Sequence, residues 1–135
     1  MTRFQYDDVR NLLAQAGINL LTDDIRAVAI DLTEYTPNPA HEFLADVPGA
    51  ARIGTPVALT GRAVGVSQVG AVTADPTVFD DLTGPEIGAV ICFRHTGNDA
   101  TARLVTFTDE GGGLPFTPNG QDLTVNWPAT GFARC

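Results

Sequence analysis

Two histidines, two cysteines, one serine and sixteen carboxylates are the groups with which this 135-residue chain could do chemistry. His41 and His95 lie far apart in sequence, and only Glu42 stands beside either of them at ligand-like spacing. A zinc site needs three or four convergent nitrogen or sulfur donors, so no metal site is expected. Cys92 sits inside an apolar run and Cys135 is the last residue, a poor disulfide framework that reads as two free thiols, Cys92 being a small core hydrophobe. Asp75, Asp80, Asp81, Asp109 and Glu110 could gather at one end of a sheet around calcium. No loop has the Asp-x-Asp-x-Asp-Gly spacing that fixes such oxygens, and solvated turns are expected instead. Ser67 has no Gly-x-Ser-x-Gly elbow around it and no histidine near it, and Gly111-Gly112-Gly113 lacks the lysine and helix of a phosphate loop. No spacing selects a carboxylate pair for glycoside hydrolysis. Trp127 and Phe107 could form a binding platform, yet aromatics alternating with aliphatics in strands belong in a core. No catalytic residue, no metal and no cofactor is therefore expected, and the chain does not read as an enzyme.

The elements that would have to position any site centre on Glu86 to Phe107. Ile87, Ala89, Ile91 and Phe93 fall on one face of a strand and Val90 and Cys92 on the other, so both faces are apolar and the strand should lie centrally in a sheet. Gly97-Asn98-Asp99 reaches left-handed backbone angles cheaply, and Thr101 to Phe107 can return antiparallel. Before this hairpin, Val9, Leu12, Leu13 and Ala16 repeat at helical spacing over Asp7 to Ala16, with acidic residues in the first turn and Gly17 as the stop. A helix this short must dock to persist. Ile25 to Leu32 reads as a strand, with Val28, Ile30 and Leu32 alternating.

Residues 33–50, with Pro37, Pro39 and Pro48, read as a long proline-rich arm in which His41 to Asp46 forms one turn carrying Phe43 and Leu44. From Ala51 onward come short strands with turn punctuation: Ala51 to Ile53, Val57 to Thr60, Arg62 to Val66, Ala71 to Ala74, Val78 to Leu82, Leu123 to Trp127, and an edge near Gly131 to Cys135. The expected fold is α+β, mainly an antiparallel β-sandwich or small barrel, with one N-terminal amphipathic helix in residues 1–17, an extended arm and a β core over 51–135. The whole chain, 1–135, forms one domain.

Eight arginines, no lysine and sixteen acidic residues give a net charge of -8. A nucleic-acid footprint needs clustered basic residues, so nucleic acid is not an expected partner. No run approaches the ~20 apolar residues of a membrane span, and residues 1–8 lack the apolar centre of a signal peptide, so synthesis in the cytosol and no membrane contact are expected.

Six collinear blocks carry a resemblance that covers nearly the whole chain. They are Gly17-Ile18-Asn19-Leu20-Leu21-Thr22-Asp23-Asp24-Ile25, Asp31-Leu32-Thr33-Glu34-Tyr35-Thr36-Pro37-Asn38, His41-Glu42-Phe43-Leu44-Ala45-Asp46-Val47-Pro48, Ala58-Leu59-Thr60-Gly61-Arg62, His95-Thr96-Gly97-Asn98-Asp99-Ala100-Thr101-Ala102-Arg103-Leu104, and Gly113-Leu114-Pro115-Phe116-Thr117-Pro118-Asn119-Gly120-Gln121-Asp122-Leu123-Thr124-Val125. Together they resemble a family of small virion structural proteins of tailed bacteriophages. Between Gly65 and Pro85 the sequence departs from that pattern, which has a more compact strand and turn there. The lysine-free, Arg-, Ala- and Thr-rich usage is what a high-GC host such as an actinobacterium imposes.

The resemblance implies a structural part of the virion, assembled in the host cytoplasm: a capsid decoration or cement protein, with a minor tail or head–tail-joining protein as the alternative. A carbohydrate-binding module displayed on the particle is a third reading. The implied partners are the major capsid protein and other copies of the chain as a homo-oligomer. The arm residues Tyr35, Pro37, Pro39, His41, Phe43 and Leu44 are the expected contacts, with Phe43 and Leu44 inserted into a neighbour.

Overall fold

The computed structural model describes residues 3–66, 69–80, 82–109, 114–127 and 131–134. In chain order these form β1 (Arg3–Gln5), α1 (Asp7–Ala14), β2 (Ile25–Ile30), two 3-10 turns (Leu44–Asp46 and Gly49–Ala51), β3 (Arg52–Ala58), β4 (Ala63–Val64), β5 (Ala71–Thr73), β6 (Thr77–Phe79), β7 (Ala89–Arg94), β8 (Leu104–Thr108), β9 (Leu123–Val125) and β10 (Ala133–Arg134). Every strand pairing is antiparallel. The sheets run β1-β8-β7-β2-β3, β10-β5-β4 and β6-β9, and among the described residues none closes on itself. The fold is α+β, largely antiparallel β with one helix.

The doubly apolar strand takes the middle place. In β7, Val90 and Cys92 face one core with Ile25, Ala27, Ala29 and Val105, while Ala89, Ile91 and Phe93 face a second with Val28, Ile30, Leu104 and Phe107. Ile87 departs from the expected parity and joins Val90 in the first core. The chain pairs Ile87 with Phe116 before β7 begins, and the alternation restarts at Gly88, whose amide bonds Ile30.

The first core lies between the large sheet and the two small ones, taking Val72 from β5, Phe79 from β6, Leu123 and Val125 from β9 and Ala133 from β10. Helix α1 docks there through Val9. It ends at Ala14, earlier than the expected Ala16: Ala16 itself takes the left-handed conformation (φ 55), and Gly17 N–H closes back on Leu12 C=O at 2.7 Å. Strand β2 likewise stops at Ile30, because the Asp31 carboxylate accepts from both the amide and the hydroxyl of Thr33 and turns the chain. Leu32, expected inside with Val28 and Ile30, is left 38% exposed.

The short β1 pairs with β8 and stacks Phe4 on Phe107, with ring centroids 5.1 Å apart. At the other edge, β3 carries a bulge. Val57 and Ile53 oppose Ala27 and Ala29, and the surplus residues between them include Gly54 at φ 71 and Pro56.

Candidate functional site

Among the described residues the second core has no sheet over it. Residues 33–51 cover it instead, contributing Tyr35, Leu44, Val47 and Ala51. The proline-rich segment is therefore folded down on the body, where an extended arm was expected. Backbone bonds fasten it along its middle. Pro39 C=O accepts from Asp7 N–H (2.8 Å), Leu44 N–H bonds Ala102 C=O (2.8 Å), and Glu42 C=O accepts from Leu104 N–H (3.0 Å).

Arginines finish the attachment. Arg52 sends its Nη2 to the carbonyls of Leu44 (2.9 Å) and Val47 (2.7 Å), its Nε also to Val47, and its Nη1 to the Asp99 carboxylate (2.6 Å). Arg103 pairs with Asp8 and lies 4.4 Å over the Phe43 ring. A planar fork with five donors suits this work, because one side chain reaches several carbonyls of an irregular segment at once. Arg62 and Arg94 do the same for residues 17–23, bonding the carbonyls of Leu20, Asp23 and Gly17.

The six expected contact residues do not share one surface. Tyr35 and Leu44 are interior: Leu44 is 4% exposed, and the Tyr35 hydroxyl lies 2.9 Å from that of buried Tyr6 and 2.9 Å from His41 Nδ1. Burial raises both tyrosine hydroxyls above their ordinary range, the contact between them adding to the rise at Tyr6. Pro37, Pro39 and His41 rim a surface recess of about 390 Å³, which Tyr35 also lines together with Glu34, Asp46 and Pro48. Phe43 is half-buried beneath Arg103. Leu44 is thus committed to its own core and is not available to insert into a neighbour beside Phe43. Asp46 closes the turn, its carboxylate accepting from the amides of Glu42 and Phe43 at 2.9 and 3.1 Å, and those two bonds hold it below the usual carboxylate range.

The other candidate groups are dispersed. Cys92 is fully buried, and burial pushes its thiol up to about 12, which makes it a packing residue. His95 packs edge-on against Phe93. Trp127 is partly buried, and its indole N–H is used by the Thr77 hydroxyl at 3.0 Å. Phe107 lies in the second core. Among the described residues no three His, Cys, Asp or Glu side chains are grouped to hold a metal ion. Ser67, Asp81, Glu110, the three glycines 111–113 and Cys135 lie outside the described residues.

Comparison with known proteins adds no family. No family model matches the chain, and no curated protein matches it significantly.

Sequence reasoning missed the arginine staples, most of whose acceptors are main-chain carbonyls that carry no residue signature. It also passed over Val64, Val66 and Val69, which stand 49%, 77% and 89% exposed on and beyond β4. Their signal was there to read: no charged residue occurs between Arg62 and Asp75.

Proposed function

We propose that this chain is a structural component of a tailed-phage virion, set on the capsid exterior as a decoration protein that contacts the major capsid protein and other copies of itself. The observation that carries this reading is the fastening of residues 33–51, together with the sequence blocks that resemble small virion proteins. A long proline-rich connection held by Arg52, Arg103 and three backbone bonds presents a fixed contour. Fixed contours suit a lattice part, since each repeated contact then forms without ordering a loop, and many weak identical contacts sum to firm attachment.

On this reading the two small sheets stacked over one face of the large sheet make a β-sandwich. The recess rimmed by Pro37, Pro39 and His41 is the face turned toward the shell. Tyr35 and Leu44 support that face from beneath. The charge of -8 suits the outside of a particle whose interior is filled with polyanion.

Quantifying this chain against the major capsid protein in purified particles tests the proposal. A decoration protein is present in amounts comparable to the shell protein. A small fraction of that amount points to a tail or joining position, and absence from finished particles ends the virion reading.

A further inference from the structure

We propose that His41 is the acid-released end of a latch. Its neutral ring accepts the last proton of a hydroxyl chain that starts at Tyr6, and protonation turns the ring out of that chain and loosens residues 34–41 over the second core. The Tyr6 hydroxyl lies 2.9 Å from that of Tyr35, and the Tyr35 hydroxyl lies 2.9 Å from His41 Nδ1. Tyr6 is fully buried, so its proton needs an acceptor within the protein.

Counting protons fixes the direction of the chain. Among the described residues the Tyr6 hydroxyl meets one hydrogen-bonding group, the Tyr35 oxygen. Tyr6 therefore donates there, since the reverse direction leaves its own proton buried without a partner. The Asn38 amide acts on the same Tyr35 oxygen as a second donor, so Tyr35 directs its proton to His41 Nδ1. Nδ1 is thus an acceptor, and the ring is neutral with its proton on Nε2.

Protonation removes that acceptor. With hydrogen on both ring nitrogens, Nδ1 meets a hydroxyl aimed at it, and reversing both hydroxyls strands the proton of Tyr6. The open side of the ring offers a better place. Glu34 and Asp46 line the recess with His41, and the imidazole already acts on the Asp46 carboxylate. Of the other acidic neighbours, Glu42 lies 3.9 Å from Arg103, and Asp7 meets the segment through its amide on Pro39 C=O. An imidazolium is drawn to the two recess carboxylates and leaves Tyr35 without its acceptor. The closed segment then binds one proton fewer than the open one, so opening is favoured as pH falls. Arg52 still holds the carbonyls of Leu44 and Val47, which keeps the release local. The latch is independent of the virion reading.

Amide exchange of the wild type between about pH 7.5 and about pH 5.5, above the carboxylate range, tests it once intrinsic rates are corrected for pH. The reporters are the amides of Asp7 and His41, bonded to the carbonyls of Pro39 and Asn38. Their opening constants should rise about tenfold or more across that range while the amides of β7 stay unchanged. His41→Asn puts a side-chain oxygen that does not titrate near the position of Nδ1, and it should abolish the dependence. Nitrogen NMR of the wild-type His41 ring at neutral pH should place the proton on Nε2. A flat wild-type profile, a dependence that survives His41→Asn, or a proton on Nδ1 at neutral pH would each overturn the proposal.

Discussion

Two connections of this chain invert what their sequences suggest. Residues 33–51, rich in proline and long, have the composition of a loose arm, yet they form the lid of the second core, fixed by Arg52, Arg103 and the Tyr6–Tyr35 contact. Residues 63–74, apolar and strand-like, have the composition of core, yet they project Val64, Val66 and Val69 into solvent. Whether a connection is mobile or fixed is decided by where its backbone polar groups find partners, and composition is a poor guide to that.

The sharpest way to break this contrast is a pair of substitutions. Leu44→Ala should cost about 2–5 kcal/mol in chemical denaturation, as for other buried leucines, whereas Val66→Asp should stay within about 0.5 kcal/mol of wild type. Equal losses at the two sites would erase the distinction. Arg52→Met should cost about 1–3 kcal/mol, since the carbonyls of Leu44 and Val47 lose their donor, and amide exchange should accelerate in residues 42–51 ahead of β7.

The tyrosines extend the comparison to pH. Tyr6 and Tyr35 are the only two in the chain, and both hydroxyls are raised in the fold. A folded-state pKa above the unfolded value of about 10 leaves stability intact below that pH and removes it as pH rises further. Tyrosinate absorbance should therefore remain silent past pH 10 and emerge together with loss of structure. Ordinary titration in a folded protein would detach the lid from the sheet.

The smallest effect is expected at Asp46→Asn, about 0.5 kcal/mol at neutral pH. Its carboxyl is depressed by the two amides it caps, so its contribution is present above the unfolded aspartate value of about 4 and fades as pH falls through the folded one. Melting curves of the variant and wild type should converge in acid.

Much of the sheet was legible in residue types. Ile91, Phe93, Val90 and Cys92 specify a strand with two buried faces, and the two cores follow from that parity. Ile87 and Leu32 broke the pattern because tertiary partners intervened: a bridge to Phe116 in one case and the Asp31 turn in the other. The three-residue β1 is too short to announce itself. Of the expected contact residues, Tyr35, Pro37, Pro39 and His41 line the surface recess. The burial of Tyr35 and Leu44 goes with partners distant in sequence, the Tyr6 hydroxyl and the Ala102 carbonyl, which no local spacing reveals.

The bulge in β3 has a consequence for crowded conditions. Gly54 and Pro56 interrupt the ladder on the outer margin of the five-stranded sheet, and the opposite margin, β1, offers only three residues. Among the described residues neither border of this sheet offers a long unbroken ladder to another chain's strand, which disfavours fibrillar growth along it when copies are held at high density.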